Sequence, residues 1–207
     1  MRNVKGKQGM KNNRAEEIPQ RINEVYEWAS LLAVESRTGN WLEYYYWTEQ
    51  AKRLLLRIRH LKRGLIALIG LQGTGKTSAL TAVGVNLYQE GFKTGMMRWR
   101  SDITSKTVQN YRYTFFDLPD YATGSARLMK RHLDEIGQLW YGLKDRDIVF
   151  VVAAQKELFK GHYLIGKMDI VELTPLKPHQ LLEAYKVRFE TTDPFTEEAL
   201  LLIAELS

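Results

Sequence analysis

Cysteine is absent from this 207-residue chain, which excludes disulfide scaffolds, thiol chemistry and zinc ribbons together. No run of about eighteen apolar residues occurs, so no membrane span is expected. The leader MRNVKGKQGMKNNR has no apolar stretch of the secretory kind, and the reading is cytoplasmic and non-membrane. That leader also lacks acid. It holds five basic residues and little to bury, the composition of a disordered tail over residues 1–15. The four histidines, His60, His132, His162 and His179, show no metal-ligand spacing and read as surface or boundary residues.

What is present is the balance of a globular protein, 44% hydrophobic and 26% charged, in a chain long enough for one large domain with an appendage. The net charge of +6 is unevenly placed. Residues 1–63 hold 13 Lys and Arg against 7 Asp and Glu, whereas residues 64–207 hold 17 against 17. A basic leader on a neutral body fits a chain that touches an anionic polymer through one end, although solubility alone accounts for the same charge.

Apolar spacing at Ile22, Val25, Ala29 and Leu32 predicts a helix that ends at Gly39 and Asn40, and a second helix is expected from Trp41 to Leu61. The flanks of that second helix carry Lys52, Arg53, Arg57, Arg59, Lys62 and Arg63, which reads either as a nucleic-acid groove or as a solvated face. Its aromatic cluster, Trp41, Tyr44, Tyr45, Tyr46 and Trp47, suits base stacking or packing against the core. After Gly64, strands and helices alternate: LIALIG (65–70), a helix over 77–90, GMMRWR (95–100), YRYTFF (111–116), a helix over 125–141, IVFVVAA (148–154) and DIVEL (169–173). Such alternation predicts an α/β fold with a parallel sheet. From Pro175 only helices follow. The organisation expected is a tail (1–15), an N-terminal helical segment (16–63), a core (64–173) and a partial helical lid (174–207).

Gly70-Leu71-Gln72-Gly73-Thr74-Gly75-Lys76-Thr77, with Ser78 behind it, matches GxxxxGK[ST] between an apolar strand and a helix start. A chance match in a chain of this length is on the order of one in a hundred before that context is required. The glycines let backbone N–H groups converge on phosphate oxygens at the positive end of a helix. Lys76 would reach the β- and γ-phosphates, and the Thr77 hydroxyl would ligate magnesium. Asp117, closing Tyr113-Thr114-Phe115-Phe116-Asp117, is the acid expected at the end of a neighbouring strand to hold that ion. Asp120 is either a turn residue after Pro119 or a catalytic base, and Gln155 ends an apolar strand where a polar group can contact the γ-phosphate or its water.

On GLQGTGKT, FFDLPDY, IVFVVAAQKELF and MDIVELTPLKPHQLLEAYKVRF, the sequence from about residue 41 onward resembles the AAA+ superfamily, especially archaeal P-loop ATPases near the origin-recognition and STAND-type groups. The resemblance implies a three-layer P-loop core with a helical lid, ATP-driven assembly, Thr77 and Asp117 at magnesium, Lys76 at the phosphates and Gln155 as sensor. Three departures stand out. Leu118 occupies the place of the usual Walker-B glutamate, which argues for slow hydrolysis. Residues 156–168 offer Lys156, Lys160 and Lys167 but no arginine finger, and the chain ends at Ser207 inside the second lid helix, as a fragment or with an abbreviated lid. The function expected is a magnesium-dependent ATPase exchanging ATP for ADP as an assembly switch on DNA, of the origin-recognition or transposition target-selection type, contacting DNA through its basic N-terminal region as a homo-oligomer. The alternative is a weakly or non-hydrolysing STAND-like switch that signals through protein partners.

Overall fold

A computed structural model describes residues 41–98, 103–118 and 126–189. The basic tail, the helix expected from Ile22, Asp120 and the segment after Pro194 lie outside these residues.

The inner strand β1 (Gly64–Gly70) is an unbroken apolar run because it is covered on both faces, as strands of parallel sheets are. Four further strands, β2 (Thr94–Arg98), β3 (Tyr113–Asp117), β4 (Val149–Ala154) and β5 (Asp169–Leu173), join it in one parallel sheet of order β2-β3-β4-β1-β5. Side-chain alternation divides β1 between two cores. Ile66 and Leu68 face a cluster with Val171, Leu173 and two helices, α1 (Glu49–His60) and α2 (Lys76–Gln89). Leu65, Ala67 and Ile69 face the other side, with Phe116, Phe150 and the helix after β3. A single turn, α3 (Ser105–Val108), comes before β3, and α4 (Ala126–Gly142) presents Met129, Leu133 and Ile136 to the second core. Another turn, α5 (Lys156–Phe159), and a 3-10 helix (Tyr163–Lys167) link β4 to β5, and α6 (Pro178–Phe189) follows. The result is the three-layer α/β architecture that the alternation predicts. No helix among the described residues is long and apolar enough to cross a membrane.

The helix expected from Trp41 to Leu61 is in fact two elements, a 3-10 turn (Trp41–Tyr44) and α1. Thr48 separates them. Its backbone is extended and its hydroxyl accepts from the Ala51 N–H at 3.1 Å, so it starts a new helix instead of continuing an old one.

Most of the basic flank of α1 is occupied within the chain. Arg57 pairs with Asp169 and donates to the Ile170 carbonyl at 3.2 Å, while Arg59 pairs with Glu90 and donates to Asn86 Oδ1 at 3.0 Å. Arg63 donates to the Trp140 carbonyl at 2.8 Å and lies 3.7 Å above that indole. Lys52 bonds Glu49 at 2.9 Å. The arginine contacts staple α1 to β5 and α2, and the turn after α1 to α4. Of the aromatic cluster, Tyr45 and Trp47 meet edge to face at 5.1 Å and pack against the first core.

Candidate nucleotide site

The loop leaving β1 is built by exclusion of side chains. A Cβ on Gly70 would lie 2.6 Å from Thr74 Oγ1 and 2.7 Å from the Leu173 carbonyl oxygen. Gly73 and Gly75 take φ of 81° and 82°, which other residues adopt only with strain. Thr74 closes the turn with a hydroxyl bond to the Leu71 carbonyl at 2.9 Å. Gly75 begins α2 without a side-chain cap, so the first-turn N–H groups are left to a ligand or solvent.

Lys76 is buried, only 5% exposed, and its ammonium donates to the carbonyls of Leu71 (2.8 Å) and Gly70 (3.2 Å). Its charge is thereby held at the mouth of the loop. Asp117, 9% exposed, stands at the end of β3. The register aligns Asp117 with Ala153 and Ala153 with Leu68, so β3 stands about 10 Å from β1 across β4. Thr77 closes that gap from α2, its hydroxyl donating to Asp117 Oδ2 at 2.9 Å. Two hard oxygen donors of this kind suit magnesium, which takes few protein ligands and keeps several waters.

Leu118 is turned away from this group into the second core, 2% exposed, with its N–H on the Ala153 carbonyl at 3.0 Å. Gln155 leaves β4 one residue past Ala154, the register partner of Ile69, and so emerges beside the start of the loop; its side chain is not used to cap α5. Lys156, one of the three lysines in the region of an arginine finger, instead bonds Glu172 across β1 at 3.0 Å.

A feature the sequence did not disclose is a cavity of about 240 Å³ next to the loop. Its walls are Tyr45 and Tyr46 before α1, Thr74 and Ser78 of the loop and α2, Leu173 at the end of β5, and Ala184 of α6. Among the described residues no charged side chain lines it. The volume is below the ~300 Å³ at which whole-ligand pockets begin, so it suits a flat ring rather than a complete nucleotide. Burial pushes the Tyr45 phenol up to about 12. Tyr46 is raised too, first by its bond to Glu183 and then by desolvation.

The sequence matches no protein-family model and no curated protein. Solved structures match in shape. The replication initiator DnaA bound to AMPPCP and single-stranded DNA superposes with a TM-score of 0.54 at 15% identity, over 80% of this chain and 59% of that one. AMPPCP-bound DnaA from Aquifex aeolicus gives 0.58 at 14% identity, over 80% and 60%. The chain therefore spans about three fifths of the length of these initiators. With its glycine-rich loop leaving β1, an inner strand of a β2-β3-β4-β1-β5 sheet, the chain has the fold of the AAA+ P-loop ATPases.

Proposed function

We propose that this chain binds ATP with magnesium and works as a nucleotide-dependent assembly switch on DNA. The observation that carries the reading is the 2.9 Å bond between Thr77 and Asp117 beside a buried Lys76, which brings an acid from the end of β3 to the loop. Backbone N–H groups of residues 73–78 would grip the phosphates, and Lys76 would exchange its two carbonyl acceptors for β- and γ-phosphate oxygens. Thr77 and Asp117 would hold magnesium, which supplies charge stabilisation at the phosphates. A water oriented by Gln155 or Asp120 would attack the γ-phosphorus in line and give its proton to Asp120 or to the phosphate, while the bond from phosphorus to the β–γ bridging oxygen breaks and ADP leaves, with Lys76 bearing part of the developing charge. The likeness in fold to initiators solved with AMPPCP and single-stranded DNA supports both limbs of the reading.

Lys76→Ala is expected to abolish ATP binding in calorimetry; undiminished affinity would refute the site. Gel filtration with and without ATP and a DNA duplex tests assembly as a homo-oligomer and polymer binding together. Absence of DNA affinity at low salt would remove the DNA limb.

A second reading, a STAND-like switch that holds ATP and signals through protein partners, is favoured by the burial of Leu118 where a water-polarising glutamate would stand. Turnover above about one per minute would eliminate it, since unassisted P-loop hydrolysis is far slower.

A further inference from the structure

The first turn of α1 with the residues just before it, and the segment after β5, meet beside the cavity through two polar contacts. The Tyr46 hydroxyl donates to Glu183 Oε2 at 2.8 Å, and Gln50 Nε2 donates to Thr174 Oγ1 at 3.2 Å. Tyr46 and Thr174 also line the cavity, and Glu183 adjoins a third wall residue, Ala184. Meanwhile α6 contributes no residue to either hydrophobic core among the described residues. Its Leu182, Ala184, Tyr185 and Val187 are only half-buried, and an element held by partial burial rests more on its directional bonds than a core helix does.

We infer that Tyr46–Glu183 and Gln50–Thr174 form a clasp that must open for a nucleotide to reach or leave the cavity, so that the clasp sets the rate of nucleotide exchange. The inference rests on the nucleotide reading of the site. Both bonds join the two sides of the cavity, so the clasp opposes arrival as well as departure. Tyr46 is a positioning residue here, acting through α6. Its ring remains a wall in Tyr46→Phe while its bond to Glu183 is lost.

The test is stopped-flow binding and displacement of a methylanthraniloyl-labelled ATP by wild type, Tyr46→Phe, Glu183→Ala and Gln50→Ala. Loss of one exposed hydrogen bond should speed dissociation about 3- to 10-fold. Association should accelerate in parallel, with Kd moved less than either rate. A purely structural weakening would raise Kd through dissociation alone, and that result overturns the gate. Unchanged rates in Tyr46→Phe and Glu183→Ala overturn it as well. Amide hydrogen exchange on nucleotide-free protein gives an independent reading: residues 178–189 should exchange faster in Tyr46→Phe while 64–70 stay protected, and unaltered exchange in 178–189 counts against the clasp. If wild type takes up no labelled nucleotide, the nucleotide reading fails first and the gate falls with it. Binding by wild type with unmoved variants sinks the gate alone.

Discussion

Gly70→Ala should destabilise the fold by about 1–3 kcal/mol, because one of the atoms its Cβ would meet, the Leu173 carbonyl oxygen, belongs to β5 and cannot swing aside. Denaturant midpoints of the two proteins measure it. Tyr45 offers a pH-dependent counterpart. Its folded phenol titrates near 12 against about 10 in the unfolded chain. The stabilisation is complete below pH 10 and is lost as pH rises toward 12, on the order of 2–3 kcal/mol over that window. Wild type minus Tyr45→Phe should therefore show a stability difference that is flat below pH 10 and falls above it. Single residues of the loop were legible because glycine, lysine and threonine at fixed spacing have few other uses. The bonds of Lys76 to the carbonyls of Gly70 and Leu71 were not legible, since they depend on the folded path of the loop.

At the scale of elements, Arg112 joins parts that the chain keeps far apart. It donates to the Leu61 carbonyl at 2.8 Å and also to the carbonyls of Lys62 and Asp147, tying the turn before β1 to those around β3 and β4. Arg112→Met should cost about 2–4 kcal/mol by leaving these acceptors unpaired, visible as a lower Tm with the secondary structure retained in circular dichroism. The inner strands β1 and β4 could be read from sequence because buried parallel strands are apolar throughout, as in VFVVAA, whereas the edge strand β5 buries only Val171 and Leu173 of DIVEL. Single turns such as Ser105–Val108 and Lys156–Phe159 are shorter than the period needed to recognise them. The cavity was hidden for a different reason: its walls come from separate stretches around residues 45, 74, 173 and 184, and no local pattern links them.

For the whole molecule, the pairing of Arg57, Arg59 and Arg63 within the chain moves the expected DNA contact toward the leader. Removing residues 1–15 deletes five basic residues and no acid. DNA affinity should fall, and the slope of log affinity against log salt should flatten by up to about 4, with ATP affinity unchanged; titrations at several salt concentrations check both. The order of the sheet has a further consequence during synthesis. Gly64 pairs with Val149 and Ile66 with Asp169, so the ribosome releases the apolar inner strand β1 long before either neighbour exists. Nascent chains stalled before Val149 carry that strand with both edges bare, and they will depend on chaperones to stay out of aggregates.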